Sequence, residues 1–183
     1  LKKVMEVCAV IIRGVVTAVG GGTTLDVILN LPVFWVEDSS MLMAEVAASI
    51  VTFFFRSTIK KSYSMLLYFD ALGNALVVMS VMKKVFDAGF TWEIAIASGV
   101  LTAIGGGLIR DMLTGRTNLL LSRELYATPV LLGAMIYVLL LKFAPDSSTL
   151  ELGIILFVFL FRVAAIRFDL SMPRWLIASE NKD

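Results

Sequence analysis

Among the charged side chains inside long apolar stretches of this sequence, the candidates for chemistry are Arg13, Asp26, Glu45, Asp70, Arg110, Asp111 and Arg162. Charge in apolar surroundings needs a partner, a water path or a ligand. The chemistry open to these residues is narrow. The chain has no histidine and a single cysteine, Cys8. That excludes histidine-based triads, a disulfide framework and Cys/His metal centres. No nucleophile–base pair is visible, so no catalytic residue, metal site or cofactor is expected. Cys8 reads as a small residue facing lipid or core. What remains for the acids and bases is to attract, bind or pass a charged solute.

Two of the acids belong to a repeated pattern. "GVVTAVGGGTTLD" runs from Gly14 to Asp26, and "GVLTAIGGGLIRD" runs from Gly99 to Asp111. The copies share Gly/Val at the start, Thr17/Thr102, Ala18/Ala103, three glycines (Gly20, Gly21, Gly22 and Gly105, Gly106, Gly107) and the final aspartate. An internal duplication explains this register. Each glycine costs a helix about 1 kcal/mol relative to alanine. Kinks concentrate at such places, so a local helix break is predicted at both triplets. A break would expose carbonyls that favour cations on one half-helix and N–H groups that favour anions on the other. Packing is the alternative: Gly14, Ala18, Gly22 and Gly99, Ala103, Gly107 form small-residue stripes that let helices approach closely. A phosphate loop is a poor reading, because no Lys-Ser/Thr follows the glycines.

The elements that must position these residues are membrane helices. Of 183 residues, 58% are hydrophobic and only 17% charged, with mean hydropathy +0.89. Soluble domains carry about 25% charged residues. The net charge of +1 leaves no nucleic-acid footprint. Six apolar runs approach or reach spanning length: Val4–Leu29, Met41–Phe55, Met65–Met82, Thr91–Leu113, Tyr126–Phe143 and Leu150–Phe168. Short polar links with Asn, Pro, Asp, Ser or Gly separate them. Continuous runs favour helices over a barrel. The run after Lys2-Lys3 is too long for a signal peptide. Residues 1–183 therefore form a single transmembrane domain. Lys2, Lys3, Arg56, Lys60, Lys61, Arg116, Arg123, Arg174 and Lys182 collect on one side, and Lys83, Lys84 and Lys142 on the other. The richer side is expected to be cytoplasmic, with the C-terminus there.

Extending the repeat gives the topology. Residues 65–143 hold three helices, the second of which carries a glycine triplet. Residues 1–64 hold the counterparts of the last two, and residues 144–183 hold a final helix and a cytoplasmic tail. The expected class is an all-α membrane protein with two inverted three-helix units plus a final helix, 3+3+1, the first helix being missing from this chain. Such folds place their site near the midplane, where the two halves meet. The expected path is lined by the triplets, Asp26, Asp111, Thr17, Thr102, Asp70 and Asn74. Arg110 should pair with Asp26 or Asp70 across the repeat. It should not pair with Asp111, its sequence neighbour, which points about 100° away. The first repeat has Leu25 in the place of Arg110, and Arg13 is the candidate for the missing positive charge. Glu45 and Arg162 lie near enough to span ends to snorkel.

Several stretches together resemble a known family. "AIGGGLIRDMLTGR" (Ala103–Arg116), "SRELYATPVLLGA" (Ser122–Ala134), "PVFWVED" (Pro32–Asp38), "FDALGNAL" (Phe69–Leu76) and "RVAAIRF" (Arg162–Phe168) resemble the bacterial glycine-transporter-domain family, related to the trimeric intracellular cation (TRIC) channels. The resemblance implies seven helices, a homotrimer in the lipid bilayer of a prokaryotic inner membrane, and one path per subunit kinked at the triplets. It implies a channel with potassium or sodium as the permeant ion. The family's GGGxxRD pattern falls on Gly105, Gly106, Gly107, Arg110 and Asp111, and on Gly20, Gly21, Gly22 and Asp26 with Leu25 replacing the arginine. The alternative is a secondary transporter of glycine or a similar small solute. Its broken helices would receive a carboxylate at an N–H end and an ammonium at an acid.

Overall fold

The computed structural model describes residues 7–54, 63–115, 125–141, 143 and 148–170. Within them, every regular element is an α-helix. In chain order these are α1 (Val7–Ile28), α2 (Phe34–Glu37), α3 (Ser39–Phe54), α4 (Tyr63–Asp87), α5 (Trp92–Thr114), α6 (Thr128–Leu141) and α7 (Ser148–Arg167). Six of them coincide with the six apolar runs. The one-turn α2 falls in the link that follows Pro32.

Local sequence sets the helix ends. Asn30, Gly89 and Asp169 adopt the left-handed conformation, with φ of 53°, 83° and 49°. Each lets the next residue donate back five positions: Leu31 N–H to Asp26 O, Phe90 N–H to Val85 O and Leu170 N–H to Ala165 O. These are Schellman closures, which satisfy carbonyls that a helix end leaves open. Helices α1, α4 and α7 thus stop by one device. Gly115 (φ 66°) ends α5 by a related bond, its N–H reaching Asp111 O and Met112 O.

Among the described residues, four helices are long and apolar enough to cross a membrane: α1, α4, α5 and α7. At 16 and 14 residues, α3 and α6 are shorter; at 1.5 Å per residue they reach roughly 24 and 21 Å. Many large apolar side chains are exposed, among them Ile12, Leu101, Leu139, Leu152 and Leu160. That surface suits lipid and not water.

Helix α4 is the hub. It packs on α5, α6 and α7. Ala75, Val78, Met79, Met82 and Val85 of α4 form the main core with Val130, Ala134 and Tyr137 of α6 and Ile154 and Val158 of α7. The α1–α3 part is joined differently. Only Leu25 and Asp26 of α1 are buried, and α1 rests on α5 through the glycine segments.

That contact overturns the expected helix break. Both triplets lie within uninterrupted α-helix, so no set of orphaned carbonyls forms there. The glycines serve close approach instead. A Cβ on Gly21 would stand 2.9 Å from Thr102 O, and one on Gly106 would stand 3.2 Å from Thr17 O. These two contacts exchange under the 85-residue offset: 21 becomes 106, and 17 becomes 102. Rising numbers on α1 meet falling numbers on α5, so the helices run antiparallel. A reciprocal contact is what a local two-fold axis produces. The packing gained at backbone distance offsets the helix propensity that glycine lacks.

Candidate functional site

A cavity of about 530 Å³ lies between α1, α3, α4 and α5. Its longest wall is α4. Asp70, Gly73, Asn74, Val77, Ser80, Val81 and Lys84 all line it. Their spacing of three and four keeps one helical face toward the cavity for four turns, roughly 21 Å of helix. Thr17, Ala18, Gly21, Gly22 and Asp26 of α1 line the opposite side, with Thr102, Ala103, Gly106, Gly107 and Arg110 of α5. Phe34, Met41 and Glu45 complete it.

Ionic groups stand at both ends, with hydroxyls, glycines and aliphatic side chains between them. At one end the Lys84 Nζ lies 2.6 Å from Asp26 Oδ1. The carboxylate is 1% exposed and the lysine 33%. Asp26 Oδ2 also accepts the Phe34 N–H at 3.0 Å. Lys84 reaches the Pro32 carbonyl as well. The "PVFW" link is therefore folded onto α1, and Trp35 fastens it by donating its indole N–H to Thr23 Oγ1 at 2.8 Å.

At the other end Arg110 is held by two acids. Its Nη1 donates to Asp70 Oδ1 at 2.5 Å and its Nε to Asp111 Oδ1 at 3.0 Å. Asn74 donates to the second Asp70 oxygen at 3.2 Å. Tyr126 lies behind this group: a Cβ on Gly107 would run into its hydroxyl and approach Asp70 Oδ1 to 3.4 Å. The third glycine of each triplet thus faces an aromatic ring, Phe34 over Gly22 and Tyr126 over Gly107.

The tyrosine is set from α7. Arg162 is 1% exposed. It donates to Leu125 O at 2.8 Å and stacks over the Tyr126 ring, its guanidinium carbon 4.7 Å from the centroid. A flat guanidinium serves both contacts at once, which an ammonium would not.

The expected residues can now be placed. Thr17, Gly21, Gly22, Asp26, Asp70, Asn74, Thr102, Gly106, Gly107 and Arg110 line one cavity. Gly20 and Gly105 do not: Gly20 packs toward Ile109, and Gly105 faces the backbone of Gly21. Asp111 is buried behind Arg110. Of the two partners expected for Arg110, Asp70 is the one it takes. Arg110 also pairs with Asp111, against expectation: its side chain is long enough to bend back across 100° of helix. Arg13 is not the counter-charge of Asp26. It lies thirteen residues back along α1, roughly 20 Å away, and Lys84 supplies the charge. Glu45 and Arg162 do not snorkel: one lines the cavity and the other is buried.

Lys84 is the site residue that reading the sequence missed. Counted as a charge at a helix end, it looked like part of a polar link. Fourteen residues after Asp70 it falls within about 40° of the same helix face, and that spacing was the available signal.

The glycine transporter family model matches residues 1–57 and 67–142. The chain belongs to this family. Among its relatives, the UPF0126 inner membrane protein YadS of Escherichia coli (strain K12) is 35% identical over 176 residues, which cover 94% of this chain and 85% of YadS. The family fold is that of the TRIC channels. A TRIC trimeric intracellular cation channel orthologue from Rhodobacter sphaeroides superposes with a TM-score of 0.80 at 33% identity, covering 90% of this chain and 94% of that one. A second structure, solved to explain conductance through TRIC cation channels, gives 0.82 at 28% identity over 94% of this chain and 86% of its own. This member of the glycine transporter family is accordingly a multi-pass membrane protein.

Proposed function

We propose that the protein is a TRIC-type monovalent cation channel, with potassium as the main permeant ion, and that the cavity between α1, α3, α4 and α5 is its conduction path. One observation carries this reading: the cavity follows one face of α4 from the Asp26–Lys84 pair to the Asp70–Arg110 pair. That is a cavity about 21 Å long, largely apolar in its walls with an ionic pair at each end, inside a fold whose solved relatives are cation channels. The sign of its charge supports a cation. The lining holds three acids, Asp26, Glu45 and Asp70, against two bases, Lys84 and Arg110, so it carries an acidic surplus. The ionic pairs are closures in this reading, because a Lys or Arg head group in the path repels a cation until it swings aside.

We further propose a homotrimer with one path in each subunit, set in a prokaryotic inner membrane with the C-terminus cytoplasmic. The names of the relatives and the lysine–arginine distribution support this.

Reconstitution in planar bilayers under a potassium chloride gradient tests the reading. Unitary currents reversing near the potassium potential are expected. Electrical silence, together with saturable glycine uptake into vesicles, would replace the channel by a solute transporter, the activity for which the family is named.

A further inference from the structure

One charged group in the cavity takes no part in either ionic pair. Glu45 lines the cavity from α3. No described residue forms an ion pair or a hydrogen bond with its carboxylate. Its depth follows from the packing of α3 on α1. Ser49 lies against Gly14, and Ser39 follows the link that Asp26 holds, so α3 runs antiparallel to α1. One turn from Ser49 toward the Asp26 end is Glu45; one turn from Gly14 in the same direction is Ala18. Glu45 therefore faces the cavity beside Thr17 and Ala18, at the level where α1 and α5 cross on their glycines.

Glu45 is part-buried, and a carboxylate that faces a cavity of a membrane domain without a counter-charge favours a cation or proton beside it. Every cationic side chain of the lining is already committed to Asp26, Asp70 or Asp111. We infer that Glu45 is the carboxylate of a monovalent alkali-cation site in the middle of the cavity, completed by hydroxyl and water oxygens, with Thr17 on the adjacent wall. A single carboxylate suits a monovalent ion, since calcium sites gather six to eight oxygens and usually several acids. The site rests on the channel reading for its role in conduction, but binding can be measured without it.

The conduction experiment compares the unaltered protein with Glu45→Gln and Glu45→Asp in symmetric potassium chloride at 50 mM and 1 M. At 50 mM, Glu45→Gln is expected to conduct about five times less, because a charge within about 10 Å concentrates cations severalfold. At 1 M, where screening acts over about 3 Å, the loss should shrink below about twofold. Glu45→Asp should keep most of the conductance. A folded Glu45→Gln protein with unchanged low-salt conductance would overturn the inference while leaving the channel intact.

The second measurement does not depend on conduction. In detergent, the unaltered protein should melt about 2–4 °C higher in potassium chloride than in N-methylglucamine chloride of equal ionic strength. Glu45→Asp should retain that shift. The absence of a potassium-dependent shift in the unaltered protein would remove the site. Silence in bilayers alongside a shift that Glu45→Gln abolishes would uphold the site and remove the channel.

Discussion

Both glycine helices carry an aspartate one turn past the triplet, but the two copies are finished in opposite ways. On α5, Asp111 has Arg110 next to it in sequence, and α4 brings a second acid, Asp70, to the same guanidinium. On α1, Asp26 has Leu25 next to it, which is buried in the core, and α4 brings the cation, Lys84. Helix α4 brings opposite charges to the two ends: the missing base to Asp26 and a second acid to Arg110. The inner strength of the two closures differs as a result. Arg110 is gripped by two carboxylates and is 18% exposed; Lys84 holds one carboxylate and is 33% exposed. A duplicated frame has produced one rigid end and one end with a single flexible tether.

The largest effect should come from breaking the rigid end. Arg110→Ala leaves Asp70 and Asp111 buried without a counter-charge. Removing one partner of a buried ion pair costs about 3–5 kcal/mol, and two acids are orphaned here. Detergent melting should show a drop of that order, and Arg110→Lys should recover only part, since an ammonium cannot bridge two acids in fork geometry. A near-normal melt for Arg110→Ala would erase the contrast between the two ends.

Lys84→Met comes next. Asp26 keeps the Phe34 N–H, and the lysine is partly solvated, so the loss should be nearer 1–3 kcal/mol. Conductance should rise severalfold, because a fixed positive head group leaves the path and an acid is freed. A fall in conductance would show that Lys84 supports the open path and does not close it.

A smaller change tests the glycine crossing that joins the ends. Gly21→Ala places a methyl 2.9 Å from Thr102 O, and forcing the helices apart should cost about 1–3 kcal/mol. Gly73 also lines the cavity, but nothing lies within 4 Å of a Cβ there. Gly73→Ala should therefore stabilise by up to about 1 kcal/mol through helix propensity alone. If the two alanines had equal effects on melting, close approach would not be the reason for the triplet.

How much of this was legible follows the range of the interactions. The six apolar helices are written in local composition, and the structure reproduces them. So is the gathering of Thr17, Asp26, Asp70, Asn74, Thr102 and Arg110 around one cavity, because an acid or base in an apolar run has few places to go. The behaviour of the glycines was not legible. A triplet reads as a break when only its own helix is considered; that α5 approaches α1 to backbone distance at the triplets is a tertiary fact. Lys84 was hidden because a charge near a helix end has a default explanation in solvent. The stacking of Arg162 on Tyr126 was hidden because it depends on where the 125–126 segment returns against α7, which no spacing records.

The finest test concerns what holds the tethered end in place. Trp35 donates to Thr23 Oγ1, and the Thr23 hydroxyl in turn donates to Val19 O. This bond fixes the link whose Phe34 N–H serves Asp26. Trp35→Phe and Thr23→Ala each delete it, and each should cost about 1 kcal/mol. Because both remove the same interaction, the double variant should lose little more than either single one. The rigid end has no such single fastening, since Arg162 holds the 125–126 segment twice, by a hydrogen bond to Leu125 O and by stacking on the Tyr126 ring. Additive losses in the Trp35–Thr23 cycle would mean that the link is held by packing of Phe34 on Gly22 and not by the indole, and the two ends would then be fastened alike, by an aromatic ring against the third glycine.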